Sequence, residues 1–272
     1  MKSVGFPHRS SLLLAAILSS HVAHAGLIIT SVIQTGGDAG VTARFTGQTY
    51  ANTGGLGTVT VGLFGEDAHA YTDRGYEWNS IRNNSGVAIG MPGYLQNGEY
   101  IVPAEENRNN TAFTLTIAVS QPVHVYLFVD NRGSSGDGNV NNPPDIGTGT
   151  NQLGLPFMQW VIDSGFLPVK TGLNRTGSLL VPDEMGQDTT AAPTGLQVGP
   201  GNSIDGYESI YQKMVTTGSF QLFEQASGQN VGRDMYSVVV TPLVPEPSTL
   251  AWGLVVASGA GLFRRRVRIA PA

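Results

Sequence analysis

The sequence contains no cysteine, so neither disulfide bonds nor thiolate metal sites contribute to its stability. Charged residues are also scarce, at 13% of the 272 residues, whereas glycine is abundant, with 36 copies. The signature motifs of nucleotide-binding loops, zinc proteases and serine hydrolases are all missing from the chain. A composition rich in glycine and poor in charge, without a long amphipathic helix, favours short strands joined by turns.

The net charge of −5 conceals an acidic body between two basic ends. The first 25 residues hold Lys2 and Arg9 with no acid, and the tail from Pro245 holds four arginines and Glu246. Of the chain's 15 basic and 20 acidic residues, 9 and 19 therefore remain in the body, a net charge of −10. Such a body repels nucleic acid and anionic membranes, so nucleic acid is not an expected partner.

The N-terminus has the three parts of a secretory signal peptide. Lys2 and Arg9 form the basic part, and the apolar run from Leu12 to Leu18 is too short to span a bilayer. The small residues Ala23 and Ala25 flank His24 at the cleavage site. We therefore expect signal peptidase to remove residues 1–25 and leave a mature chain that starts at Gly26.

The C-terminus carries an apolar segment, residues 250–263, between a proline-rich strip and a cluster of arginines. Pro245 and Pro247 keep the strip extended. The cluster of Arg264, Arg265, Arg266 and Arg268 is typical of a stop-transfer signal on the cytoplasmic side of a membrane. Alone, 14 mostly apolar residues are marginal for a span. The flanking features favour a short transmembrane helix.

The tail VPEPSTLAWGLVVASGAGLFRRRVR, residues 244–268, resembles the PEP-CTERM sorting signal. The resemblance implies that Pro245, Glu246 and Pro247 are read by exosortase, a membrane transpeptidase of Gram-negative bacteria that make exopolysaccharide. It also implies export through the inner membrane, a transient membrane anchor, and a final place at the cell surface or in the extracellular matrix.

The body, residues 26–243, is predicted to be all-β. Phe113 to Val119 and Val123 to Val129 alternate apolar and other residues with a period of two, which is typical of half-buried strands. The interruption between them predicts either a hairpin or a crossover between sheets. Further strands are expected at 27–34, 41–46, 58–64, 99–102, 219–224 and 235–241. Together they predict a single β-sandwich, jelly-roll-like, with its two ends close together.

Several segments of the body are similar to non-catalytic β-sandwich modules of bacterial extracellular polysaccharide enzymes. These segments are VHVYLFVDNR, WVIDSGF and GSFQLFEQASGQN followed by MYSVVV. The resemblance implies a module that binds carbohydrate without acting on it.

Two candidate ligand sites follow from the pattern of residues. The loop from Asp130 to Asp145 places oxygen-bearing side chains at calcium-loop positions 1, 3, 5 and 9, namely Asp137, Asn139, Asn141 and Asp145. Asn142 and Thr148 stand where glycine and a bidentate glutamate are expected, so a solvated turn is the alternative. The segment Glu66 to Ser80 interleaves acids with Tyr71, Tyr76 and Trp78, which suits either sugar stacking or the core of the fold. Trp160 and Tyr94 are further aromatic candidates.

Catalytic signals are weak. His69 lies near Glu66 and Asp67 but lacks a motif, and the adjacent acids Glu105 and Glu106 cannot flank one bond from a strand. The sequence thus predicts a non-catalytic surface or matrix protein that is structural or binds extracellular polysaccharide. It predicts no cofactor apart from the calcium of the loop. A secreted polysaccharide hydrolase or lyase, whose carboxylates converge only in three dimensions, is the alternative.

Overall fold

The computed structural model describes residues 27–38, 42–133, 143–189, 204–216, 218–226 and 233–243. These residues form antiparallel strands with little helix. The strands, in chain order, are β1 (Ile29–Thr35), β2 (Arg44–Phe45), β3 (Thr49–Asn52), β4 (Gly57–Thr60), β5 (Ala68–His69), β6 (Tyr76–Asn79), β7 (Glu99–Val102), β8 (Thr114–Val119), β9 (Val123–Asp130), β10 (Leu167–Pro168), β11 (Glu184–Thr189), β12 (Ile204–Val215), β13 (Gly218–Leu222) and β14 (Ser237–Pro242). A 3-10 helix (Glu105–Asn109) precedes β8, and the single-turn helix α1 (Gln159–Asp163) precedes β10.

The large sheet has nine strands, in the order β2-β7-β14-β9-β12-β11-β6-β5, with β10 paired to β12 beside this path. A second sheet has the order β1-β8-β13, and β3 pairs with β4 in a hairpin. The 12-residue strand β12 is central because it pairs with β9, β11 and β10. This strand and β11 were not predicted, and they carry many of the polar residues discussed below.

Strand β8 confirms the half-buried alternation predicted from the sequence, whereas β9 does not, and the two strands together confirm the crossover between sheets. Leu115, Ile117 and Val119 on β8 are buried, while the residues between them are half-buried. Nearly all of β9 is buried, because β12 and β14 flank it and both of its faces are covered. β8 lies in the three-stranded sheet and β9 in the large one, so the turn between them links the two sheets.

Side chains from both sheets pack in one hydrophobic cluster. At its centre, the rings of Phe64, Tyr100, Phe128 and Trp78 meet edge to face at centroid distances of 5.3 Å for three pairs. This geometry is favoured by aromatic quadrupoles and adds to the burial of large apolar surfaces. The all-β prediction is confirmed at this level, and the arrangement of the sheets as a sandwich stays a prediction.

The two ends of the body meet at the turn between β8 and β9. The Ser120 amide donates to the Ile28 carbonyl at 2.9 Å, and the Leu243 amide donates to the Pro122 carbonyl at 3.0 Å. Among the described residues, no helix has the length and hydropathy needed to cross a membrane. The predicted signal peptide and sorting tail lie outside the described residues.

Candidate functional site

An open groove of about 380 Å³ lies beside α1 and is walled by Trp160 and Phe223. Both rings are half-buried, with centroids 6.0 Å apart. The indole nitrogen of Trp160 donates to the backbone carbonyl of Glu224 at 2.9 Å, which fixes the orientation of the ring. Phe166 and Tyr236 support the indole from the core side at 6.3 and 5.6 Å.

Polar groups stand around this aromatic wall. Asn151, Gln159 and Glu224 line the groove with amide and carboxylate groups. Met158, which precedes α1 in the groove wall, has a φ of 46°, a left-handed conformation that costs a residue with a β-carbon free energy. The fold therefore maintains local strain at the point where the helix presents Trp160.

A second groove, polar and about 670 Å³ in volume, lies on the other side of the turn from Asn151 to Leu155. Its lining includes Asp38, Glu106, Arg108, Asn109 and Gln152. The Gln152 amide donates to the Asn109 carbonyl at 2.5 Å, which ties the turn to the end of the 3-10 helix. Asn151 and Leu155 line the aromatic groove, while Gln152 and Leu153 line the polar one, so one turn separates the two grooves.

The structure corrects the prediction that Tyr71 and Trp78 contact a sugar. Both side chains are 0% exposed, and their polar atoms bond inside the protein: Tyr71 donates to the Met235 carbonyl and Trp78 to the Tyr100 hydroxyl. A ring that stacks on a sugar needs an exposed face, and these two rings fill the core instead. Tyr76 is half-buried. Tyr94 stacks on Tyr126 at 5.1 Å and donates to Asp183, so it too has a packing role.

The predicted calcium loop falls mostly outside the described residues. Asp137, Asn139 and Asn141 are not among them, and Asp145 is exposed. Pro245, Glu246, Pro247, the four arginines and the signal cleavage residues Ala23, Ala25 and Gly26 also lie outside. These assignments stay predictions.

His69 does not form a catalytic group with the acids near it in sequence. Its Nδ1 is buried without a hydrogen-bond partner among the described residues, and burial lowers the pKa of the ring. Glu66 accepts a hydrogen bond from the Ser80 amide at 3.0 Å, which is a structural role.

The carboxylates that converge in the described part of the chain come from residues that the sequence did not single out as a set. Asp130, Glu208 and Asp234 each bring an oxygen atom within 4.8 Å of the others, and all three residues are buried. Their separation along the chain hides this cluster, and only the pairing of β9 with β12 brings the first two together. Buried acids so close together leave no room for a sugar unit between them.

The site and fold thus define an all-β, antiparallel protein with two adjoining surface grooves. No protein-family model matches the chain, and no curated protein matches it. A solved structure of a beta-glucuronidase from glycoside hydrolase family 2 is similar, with a TM-score of 0.41 and 13% sequence identity. The similarity covers 77% of this chain and 14% of that chain. At these values it supports neither an activity nor a ligand.

Proposed function

We propose that this chain is an exported surface or matrix protein that binds extracellular polysaccharide in the groove walled by Trp160 and Phe223. The signal peptide and the PEP-CTERM-like tail support export and sorting by exosortase. In this proposal the two sheets are the layers of a β-sandwich, a packing that their shared hydrophobic cluster supports. The half-buried, oriented Trp160 is the observation that carries the binding function.

The chemistry of the groove suits a sugar. The C–H face of a pyranose packs on an aromatic ring, while its hydroxyls need donors and acceptors at the rim. Trp160 and Phe223 offer the rings, and Asn151, Gln159 and Glu224 offer the polar groups. Because the indole N–H is already bonded to the backbone, the ring is held in place before the ligand arrives. Such preorganisation reduces the entropic cost of binding.

The neighbouring polar groove extends this surface for a longer glycan. A chain that crosses the turn from Asn151 to Leu155 passes from aromatic contacts to the amides and charged groups near Asn109 and Gln152. We therefore expect affinity to rise with oligosaccharide length, since a second groove adds contacts that a disaccharide cannot reach.

The proposed function is non-catalytic. A glycoside hydrolase needs two carboxyl groups about 5–10 Å apart on either side of one bond. The converging acids of the described residues are buried, and Glu106 in the polar groove pairs with Arg74. The hydrolase or lyase alternative predicts release of new chain ends from a polysaccharide, which the same protein preparation can test.

The test is calorimetric titration of the full chain with soluble bacterial exopolysaccharide fragments of increasing length. Trp160→Ala should weaken binding about tenfold or more, because it removes the stacking ring. Phe45→Ala is the matched control, since it removes a half-buried aromatic that lines neither groove. Gln159→Ala gives a second variant at the rim that leaves the core packing of Trp160 intact.

Equal binding by the wild-type protein and Trp160→Ala would reject the groove as the site. Release of reducing ends or of unsaturated products by the wild-type protein would reject the non-catalytic assignment.

A further inference from the structure

One end of the two sheets contains both ends of the described body. The turn between β8 and β9 is bonded to the backbone of Ile28 on one side and of Leu243 on the other, at 2.9 and 3.0 Å. The connection from β12 to β13 lies at the same end, because β12 ends opposite the start of β9 and β13 starts opposite the end of β8. We call this end the turn end and define it by residues 27–28, 119–123, 214–216, 218–219 and 242–243.

The turn end contains no aspartate or glutamate, although the body has a net charge of −10. The first acids along the strands that reach it are Asp130, Glu208, Glu224 and Asp234. At about 3.3 Å per residue, each of them lies about 15 Å or more along its strand from the turn end. The Debye length at physiological ionic strength is about 8 Å, so their charges are largely screened there.

Glu99 on β7 is an acid beside the turn end, but its side chain is directed into the body. It pairs with Val240 on β14 and is 6% exposed. Its two carboxylate oxygens accept hydrogen bonds from the amides of Ile28 and Ile29. Lys213, by contrast, adjoins the turn end on β12 and is half-buried, with its ammonium over the ring of Phe166 at 4.7 Å. The charge that the surface presents here is therefore positive.

Large apolar side chains are exposed at this end. Leu27 is 50% exposed beside the β8 side of the turn, and Met214, which pairs with His124 on the β9 side, is 60% exposed. Leu167 on β10 pairs with Gln212, two residues before Met214, and is 67% exposed. Exposed apolar side chains beside a positive charge are typical of surfaces that lie against a membrane.

The predicted membrane segment, residues 250–263, follows the turn end closely in the sequence. Leu250 is seven residues beyond Leu243. A fully extended chain spans at most about 3.6 Å per residue, so at most about 25 Å separates the turn end from the start of that segment. With the segment in a bilayer, the turn end is held close to the lipid surface.

We propose that the turn end lies against the lipid surface while the chain is anchored, with Leu27 and Met214 in the interface and Lys213 near anionic headgroups. This inference rests on the proposed function, because it requires the tail as the anchor. The interface accepts apolar side chains and attracts positive charge, while the acidic remainder of the body is repelled by the same surface. Together these forces fix the orientation of the body.

Both grooves lie away from the turn end. Phe223 follows β13 at the end opposite its start, and Asn109 and Asn110 precede β8 at the same far end. In the proposed orientation the two grooves therefore face away from the membrane, where an extracellular polysaccharide can reach them.

The experiment measures how close each end lies to lipid. The sequence has no cysteine, so a single introduced cysteine carries one fluorescent label. Thr216→Cys labels the turn end, and Ala112→Cys labels an exposed position before β8, at the groove end. The full chain, purified from membranes, is reconstituted in vesicles of phosphatidylcholine and phosphatidylglycerol with a nitroxide quencher on the headgroup. The label at position 216 should lose most of its fluorescence, and the label at position 112 should lose little.

A charge variant tests the contact itself. Met214→Glu should lower the quenched fraction at position 216 about twofold or more, because it places an acid against anionic lipid. Ile162→Glu adds the same charge at a similarly exposed apolar position of α1 and should leave the quenching unchanged. If Met214→Glu does not fold, Leu27→Glu makes the same comparison.

Three outcomes would overturn the proposal, each for a different reason. Equal quenching at positions 216 and 112 in vesicle-bound protein would reject the orientation and leave the tail anchor standing. Absence of the full chain from the vesicle fraction would reject the anchor and the orientation with it. Self-quenching of the label at position 216 that rises with protein density, without quenching by the lipid nitroxide, would assign the turn end to contact with a second copy of the chain.

Discussion

Asp183 and Glu208 are both buried acids, but their carboxylates have opposite hydrogen-bond environments. Asp183 accepts from the backbone amides of Thr171, Gly172 and Leu173, from the Thr171 hydroxyl and from the Tyr94 hydroxyl, at 2.5–3.1 Å. Such a set of donors stabilises a charge without any counter-ion. Glu208 has no comparable donor among the described residues. A buried carboxylate is therefore well supplied with hydrogen-bond donors at Asp183 and lacks them, within the described part of the chain, at Glu208.

The acidic cluster makes the stability of the protein sensitive to pH. The pKa of Asp234 is about 7 in the folded state and 3.8 without the fold, so between these values the folded state holds a proton that the unfolded chain has released. Folding stability from this group is therefore complete below about pH 4 and is lost as pH rises to about 7. Glu208 acts in the same direction, while Arg132 and Arg108 oppose it and Glu105 adds to it.

We expect the free energy of unfolding of the wild-type protein, minus that of Asp234→Asn, to fall by up to about 3 kcal/mol from pH 5 to pH 8. The difference between the two proteins cancels the contribution of His69, whose lowered pKa acts in the opposite direction. Urea unfolding at each pH measures it. A flat difference across this range would contradict the raised pKa of Asp234.

At the scale of the elements, the three-stranded sheet has one buried face, and the same substitution should have different effects on its two sides. Ile117 on β8 is 0% exposed, whereas Ile33 on the neighbouring strand β1 is 56% exposed. Ile117→Ala should lower the free energy of unfolding by about 2–5 kcal/mol, because it leaves a cavity in the core. Ile33→Ala is the matched control and should cost less than about 1 kcal/mol.

Chemical denaturation measures the loss of stability in both variants. The comparison requires that the two variants unfold with the same m-value. Similar losses at the two positions would mean that the outer face of β1 is covered by a part of the chain beyond the described residues.

The strands that the sequence predicted are those with apolar alternation. β7 occupies the predicted residues 99–102, β8 lies within its predicted alternating run, and β9 extends one residue beyond its run. Strands β11 and β12 were missed because several of their buried positions carry Glu184, Gln187 and Glu208, which a pattern based on apolar residues reads as surface. Whether a polar side chain is buried depends on its partners on other strands, and the sequence of a single strand does not show those partners.

The candidate sites were harder to predict for the same reason. Trp160 was one aromatic among several, and only the packing of Phe166 and Tyr236 against it shows how the ring is held in the lining of the groove. Trp78, which has a more polar sequence context, is fully buried. The acidic cluster depends on the register that places Asp130 opposite Glu208, and no local motif reports that register.

At the scale of the whole molecule, the proposed sorting signal predicts how the chain is processed. In a host that carries exosortase, the double variant Pro245→Ala and Pro247→Ala should remain in the membrane as a longer, uncleaved form. The proposed sorting signal requires an extended recognition strip, which proline favours and alanine does not. The intact mass of the protein and its membrane fraction are the measurements.

Pro271→Ala, outside the motif, is the control and should be processed normally. A double variant with the same mature mass as the wild-type protein would reject the sorting signal.

The position of β14 has a consequence for the order of folding. β14 follows every other described strand in the chain, yet it lies inside the large sheet, between β7 and β9. Until it arrives, β7 and β9 each present an open edge of unpaired backbone groups, which is prone to pair with other chains. During synthesis the large sheet is thus incomplete until its final segment has emerged. Completion of the large sheet is therefore timed by the synthesis of β14, and until then β7 and β9 each lack one of their final hydrogen-bonded neighbours.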